Sequence, residues 1–303
     1  MMEIRAPAKI NLRHRVFERD DAGFYGVETI LARTNLTDII GLEETGAGIS
    51  IEVDGPFAEG VPNGPDNLCW QAAELFLDQA FRRKKRPGLR FTLMKQIPHG
   101  SGLGGGSADA AATLRLLARR WNQLSERELL LIAGKLGSDV PFAMLEVPMA
   151  LGWERGRRLL PLRAPPARPA LVLCSRVHVS TPDAYSWLRD ARACESSDAP
   201  GTMLSQGSAA LPGATRLAQW ESLERLVIND LEGPVISRYP DLARGVNELR
   251  KCEVSCSGMT GSGSALFGIF PDENACANAR THIESNSLVV EHGWSVLEVR
   301  LPT

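Results

Sequence analysis

The chain has 303 residues, 44% hydrophobic and 23% charged, with a formal net charge of -2. That length is enough for two domains, and that composition belongs to a globular protein rather than a disordered or fibrous one. Near-neutral charge offers no bulk attraction to nucleic acid or an acidic membrane surface, and no stretch approaches the ~18 apolar residues of a membrane span.

No charged-then-apolar leader opens the sequence, so the expected compartment is the cytoplasm. Cys69, Cys174, Cys194, Cys252, Cys256 and Cys276 form no CxxC pair and have no histidine at ligand spacing. Reduced, mostly buried thiols are expected of them, not a zinc site.

Residues 4–16 alternate well enough for a strand, followed by a turn at Asp20-Asp21-Ala22-Gly23. Residues 49–53 read as a second strand. Leu68, Ala72, Leu75 and Phe76 stand at helical spacing and predict a helix over 66–81, with Asp66 as N-cap and the basic run Arg82–Arg86 as its solvated end. A strand over 89–93 leads to a glycine-rich turn, then to helices over 108–121 and 126–136, the latter closed by Gly137.

Proline and arginine gather between Pro161 and Pro169, which predicts a connection between domains spanning 1–160 and 161–303. Beyond it come a strand (170–174), a helix around 183–189, and a Ser/Gly/Ala/Pro-rich stretch, 194–214, expected to be a mobile surface loop. Helices near 220–227 and 239–251 follow, then a strand, a second glycine-serine turn and a strand over 265–270. Strands and helices mix without regular βαβ alternation, so the fold class is α+β.

The strongest chemical signal is Pro98-His99-Gly100-Ser101-Gly102-Leu103-Gly104-Gly105-Gly106-Ser107, with five glycines in seven positions. Glycine carries a backbone entropy cost that an ordinary loop has no reason to bear, but it lets main-chain N–H groups approach an anion closely. The helix that follows adds the positive end of its dipole. No Gly-Lys-Ser/Thr closes the run, so it is not a Walker A loop, and it lacks the Rossmann glycine order.

This run resembles the phosphate-binding motif of the GHMP kinases. Two further segments match that family in the same order: Ala6-Pro7-Ala8-Lys9-Ile10-Asn11-Leu12 near the start and Met259-Thr260-Gly261-Ser262-Gly263-Ser264-Ala265 near the end. Within the family the likeness is strongest to the branch that phosphorylates a cytidine-bearing methylerythritol of the non-mevalonate isoprenoid pathway. Gly137-Ser138-Asp139-Val140-Pro141-Phe142, Val179-Ser180-Thr181-Pro182 and Asn229-Asp230-Leu231-Glu232 also carry it.

The resemblance implies a two-lobed α+β fold: an N-terminal ribosomal-protein-like domain, a C-terminal ferredoxin-like domain, and the active site in the cleft between them. It implies ATP with Mg2+, a small-molecule alcohol as acceptor, and a monomer or weak homodimer. Asp139 would orient or deprotonate the acceptor hydroxyl, with Lys9 supporting it and the transferring phosphoryl. A neighbouring ammonium favours a carboxylate's charged form, which readies it to take a proton. Pro98, Gly100, Ser101, Gly102, Leu103, Gly104, Gly105, Gly106 and Ser107 would hold the ATP phosphates, and Ser107 would also meet the metal. Asn67, in segment 63–68, would contact adenine. Asn11, Phe24, Tyr25, Tyr185, Gly261 and Ser262 would surround the acceptor, and His99 would be a bystander.

Three departures from the branch stand out. Its Gly-Tyr-His signature is Gly23-Phe24-Tyr25 here, which replaces an imidazole by a phenol. Position 108 is alanine, and Glu146-Val147-Pro148 and Glu154-Arg155-Gly156-Arg157 replace glycine-containing segments. The alternatives are therefore a GHMP kinase for a mevalonate-like or homoserine-like alcohol, a diphosphomevalonate decarboxylase, and a non-catalytic sensor.

Overall fold

The computed structural model describes residues 2–19, 25–82, 85–154, 156, 158–197 and 211–303. The first half of the chain runs β1 (Met2–Arg19), β2 (Tyr25–Thr45), β3 (Ile49–Asp54), α1 (Leu68–Ala80), β4 (Gly88–Met94), α2 (Gly105–Trp121), α3 (Glu126–Leu136), α4 (Val140–Met144), β5 (Met149–Trp153) and β6 (Arg158–Leu162). The second half runs β7 (Arg168–Cys174), α5 (Thr181–Ser197), α6 (Ala214–Leu217), α7 (Trp220–Glu224), β8 (Ile228–Asn229), α8 (Glu232–Ile236), α9 (Pro240–Lys251), β9 (Cys256–Met259), β10 (Leu266–Ile269), α10 (Glu273–Glu284), α11 (Ser287–Val290) and β11 (Ser295–Leu301).

Two sheets carry the fold. Among the described residues the first has the order β3-β4-β2-β1-β8, with β5 added to the free half of β2 and β6 to β5. β2 is long enough to change partners: residues 28–32 pair with β5 and residues 39–45 with β4. The second sheet, β11-β7-β10-β9, is antiparallel throughout. Helices α1, α2 and α3 cover part of the first sheet through Phe76, Leu114, Leu117 and Ile132. Between the sheets lies a second core, in which Ala8, Ile10 and Leu12 of β1 meet Val172, Phe267 and Val299. The reverse face of β7 packs Leu171 and Leu173 against α9 and α10. With both faces buried, β7 reads as an unbroken apolar run.

Several expectations shift. The connection expected over Pro161–Pro169 shrinks to residues 163–167, because Pro161 pairs with Ala150 in the β5–β6 hairpin and Pro169 with Arg300. Proline is tolerated on an edge strand, as at Pro161 of β6, and near the start of a strand, as at Pro169 of β7, where its missing N–H is not needed for the ladder. The stretch expected to be a loop from Cys194 is helical to Ser197, and residues 198–210 lie outside the described residues. Asp66 is not the cap of α1. Asn67 takes that role, its side chain accepting from Cys69 N at 2.8 Å.

Three bulges interrupt β1 as it pairs with β2, between Pro7 and Lys9, Asn11 and Arg13, and Val16 and Arg19. Lys9 and Asn11 lie between the first two. Alternation sends their neighbours Ala8, Ile10 and Leu12 into the core and turns Lys9 and Asn11 to the opposite face.

Candidate active site

A cleft of about 570 Å³ opens where β1, the start of α2 and the turn before β10 converge. Its volume is that of a small-ligand site. The glycine turn forms one wall. Gly100, Gly102 and Gly104 adopt φ of +67°, +82° and +73°, a region that other residues enter only with strain. At Gly102 space is closed as well, since a Cβ would stand 2.3 Å from Thr260 O. Gly104 caps α2 without a side-chain hydrogen bond, and no acidic residue occupies the first turn. The leading N–H groups of a 17-residue helix are thus left for a ligand, with the positive end of its dipole behind them.

Lys9 faces this wall. Its main-chain N donates to Leu103 O (2.9 Å), and its Nζ donates to Gly102 O (2.8 Å) and Asn11 Oδ1 (2.5 Å). The same ammonium lies 3.1 Å from Asp139 Oδ2. Asp139 opens α4, yet its carboxylate does not cap that helix. Buried Val140, Pro141 and Phe142 hold the short helix in place, which leaves the carboxylate free to face Lys9 and the cleft.

The second glycine turn interlocks with the first. Ala265 N donates to Ser101 O (2.9 Å), and Asn11 N donates to Thr260 Oγ1 (3.0 Å). Asn11 Nδ2 reaches Thr29 Oγ1 at 2.8 Å, so the amide's orientation is fixed from both ends. Asn229 clamps the turn by donating to Met259 O (2.7 Å) and Gly261 O (2.8 Å), while Glu232 accepts from Met259 N (2.8 Å). The Asn-Asp-Leu-Glu segment therefore positions the second turn, and its Leu231 borders the cleft.

Behind the phosphate turn lies a charged cluster with almost no solvent contact. Lys95 Nζ bonds Asp38 Oδ2 and, at 2.8 Å, Asp109 Oδ2. Asp38 Oδ1 accepts from Gln96 N (2.5 Å) and Ile97 N (2.8 Å). The cluster joins β2, the exit of β4 and the start of the second turn of α2, and so fixes both ends of the glycine turn. Burial pushes Asp109 from 3.8 up to about 8, against the pull of Lys95. Between about pH 4 and 8 the folded chain then keeps a proton that the unfolded chain releases, so this group's contribution to stability falls as pH rises through that window. Asp109→Asn is expected to flatten that dependence, as read by urea denaturation at pH 6 and pH 8.

Of the residues expected at the site, Lys9, Asn11, Pro98, Gly100, Ser101, Gly102, Gly104, Gly105, Gly106, Ser107, Asp139, Tyr185, Gly261 and Ser262 line the cleft together. Leu103 does not; its side chain is an anchor in the core between the sheets. Tyr25 stands behind Tyr185, ring centroids 5.2 Å apart, and Phe24 lies outside the described residues. Asn67 is also off the cleft wall. Its Oδ1 caps α1 and its Nδ2 donates to Pro62 O (2.6 Å), which leaves Leu68 as the side chain of that segment at the cleft. Asn67→Ala is expected to cost about 1 kcal/mol of stability, measured by chemical denaturation.

Sequence reading missed His14, Thr29, Thr260, Lys95 and Asp38. Their partners lie far away along the chain, or on a face that simple alternation misassigns. His99, expected to be a bystander, and His178 both border the cleft.

Residues 67–146 match the GHMP kinases N terminal domain. Two relatives named 4-diphosphocytidyl-2-C-methyl-D-erythritol kinase align over nearly the whole chain. One, from Ruegeria pomeroyi, is 32% identical over 92% of each chain; the other, from a Geobacter species, is 33% identical over 99% of this chain and 98% of its own. A crystal structure of 4-(cytidine 5'-diphospho)-2C-methyl-D-erythritol kinase superposes with a TM-score of 0.75 at 31% identity, over 99% of both chains. Homoserine kinase from Cytophaga hutchinsonii shares the fold at 15% identity and a TM-score of 0.69, over 98% of this chain and 93% of its own. The ordered glycine turns, the lysine–aspartate pair and these full-length likenesses agree: the chain belongs to the GHMP kinase family, in the group of the 4-diphosphocytidyl-2-C-methyl-D-erythritol kinases.

Proposed function

We propose that this chain transfers the γ-phosphoryl group of ATP to the 2-hydroxyl of 4-diphosphocytidyl-2-C-methyl-D-erythritol. The observation that carries the reading is the Lys9–Asp139 pair, 3.1 Å apart, in the same cleft as the uncapped start of α2. The name shared by the full-length relatives supplies the acceptor.

Phosphoryl transfer asks for positioning and charge neutralisation more than for covalent chemistry. The N–H groups of Gly105, Gly106 and Ser107 hold the triphosphate, and Lys9 faces the transferred group. Asp139 Oδ2 accepts the proton of the acceptor hydroxyl as the new O–P bond forms and the bond to the ADP oxygen breaks. Asn11 keeps the lysine in place through its 2.5 Å contact.

No group of three or more His, Cys, Asp or Glu among the described residues could hold a metal ion unaided. Mg2+ would arrive on the triphosphate, and the Ser107 hydroxyl in the first turn of α2 would help to hold it. When bound, the ion neutralises phosphate charge. No helix among the described residues is long and apolar enough to cross a membrane, and we place the enzyme in the cytoplasm as a monomer or weak homodimer. Domains 1–160 and 161–303 would supply the nucleotide side and the opposing wall.

Purified protein is to be given ATP with the cytidylated methylerythritol, mevalonate or homoserine, following ADP release and product mass. Phosphorylation of the first alone is expected; turnover of another alcohol instead would replace the acceptor assignment. Because Tyr25 lies off the cleft wall, Tyr25→His should change the acceptor KM by less than about threefold, the smallest step that a lost hydrogen bond usually makes.

A further inference from the structure

His14 is five residues beyond Lys9 and three beyond Asn11, so strict alternation along β1 would turn it away from both. The bulge between Asn11 and Arg13 reverses that. Asn11 pairs with Leu31 and His14 with Thr29. Leu31 and Thr29 are two residues apart on β2 and share a face, so Asn11 and His14 share one too. One inserted residue thus delivers an imidazole to the cleft wall that also holds Lys9, Asn11 and Asp139.

The ring is 8% exposed. Its Nε2 lies 3.2 Å from the Tyr185 hydroxyl, which borders the same cleft, and the two rings meet edge to face. Its Nδ1 is buried without a hydrogen-bond partner. Burial first, then the charge of Lys9, pushes its pKa down to about 4 against the opposing pull of Asp139 and Asp230, which leaves the ring neutral at neutral pH. Burial likewise pushes the Tyr185 hydroxyl up, so it keeps its proton. Buried polar atoms without partners are uncommon, and one at the edge of a binding cleft is a place where a ligand can supply what the protein lacks. The phosphate turn, Lys9 and Asp139 leave the imidazole no task in the transfer itself.

We propose that His14, held by Tyr185, determines acceptor specificity by hydrogen-bonding a polar edge of the acceptor other than its reacting hydroxyl. This rests on the kinase reading above for the presence of an acceptor in the cleft. The imidazole comes from β1, a different strand from β2, which Tyr25 opens.

The test compares wild type with His14→Leu, His14→Gln and Tyr185→Phe, using ATP and the cytidylated methylerythritol. A lost hydrogen bond is worth about a threefold to tenfold change in binding. His14→Leu is expected to raise the acceptor KM about threefold to tenfold, with the ATP KM and kcat moving much less. His14→Gln, which returns a polar group near Nε2 for Tyr185 but none at Nδ1, should leave most of the loss in place. Tyr185→Phe keeps the packing and removes only the hydroxyl, so it should raise the acceptor KM about threefold even if His14→Leu fails to fold.

A second readout needs no turnover. The His14 imidazole C–H resonance, identified by its loss in His14→Leu, should shift and saturate as the acceptor is added without ATP. An unchanged acceptor KM in the variants, with no ligand-induced shift of that resonance, would overturn the assignment. A saturating shift in a wild type that turns over none of the alcohols would sink the phosphoryl-transfer reading and leave the contact standing. Turnover indifferent to His14 would do the reverse.

Discussion

Asp139→Asn is expected to keep ATP binding within about twofold of wild type and to lose about 10²- to 10⁴-fold in kcat, the usual contribution of a positioned proton acceptor. The substitution is nearly isosteric and should not disturb the fold, because the Asp139 carboxylate does not cap α4. Lys9 keeps its bonds to Gly102 O and Asn11 Oδ1, so the turn that holds the triphosphate stays in place. What is lost is the group able to receive a proton beside the transferred phosphoryl. Steady-state kinetics and equilibrium binding of an ATP analogue, measured on one preparation, separate the two effects. A variant with near-normal kcat would return Asp139 to a merely structural place at the head of a short helix.

Lys95→Met should be the most damaging change to the fold itself. Lys95 is 2% exposed and is the cation shared by Asp38 and Asp109. Removing it leaves the buried Asp38 carboxylate without a counter-charge beside the protonated Asp109, a change that costs about 3–5 kcal/mol where one partner of a buried ion pair is deleted. Because Asp38 also holds Gln96 N and Ile97 N, the entrance to the glycine turn should loosen as well. Urea denaturation and ATP-analogue binding are then expected to fall together. Adding Asp38→Asn to Lys95→Met removes that uncompensated charge while keeping an oxygen for Gln96 N and Ile97 N, and should recover part of the lost stability, while a purely steric role for Lys95 predicts no recovery.

The parts of the site that were legible in the sequence are those whose physics is local. The glycine turn announces itself because alternate positions, 100, 102 and 104, take φ > 0 and demand glycine, and α2 follows it directly. Helix α3 is bounded by its own chemistry, a Ser125–Glu128 capping box at one end and Gly137 at the other. Lys9 and Asp139, 130 residues apart, owed their assignment to family resemblance, since nothing local distinguishes either from a surface lysine or a helix cap.

What was not legible depends on register and long-range pairing. β2 escaped notice because it changes partners midway and so lacks one continuous alternation. His14 was hidden by a bulge, which reverses inside and outside with a single residue. The Lys95–Asp38–Asp109 cluster joins residues 57 and 14 positions apart, and charged residues ordinarily read as surface. The end of β6 was counted with the connection because Pro161, on an edge strand where no ladder N–H is required, resembles linker composition.

The account depends most on where the triphosphate lies. A crystal structure of the enzyme with a non-hydrolysable ATP analogue and Mg2+ tests this directly. The account predicts phosphate oxygens within hydrogen-bond distance of the main-chain N–H groups of Gly105, Gly106 and Ser107, and a terminal phosphorus facing the Lys9–Asp139 pair. A triphosphate bound elsewhere, or a terminal phosphorus remote from both side chains, would contradict it.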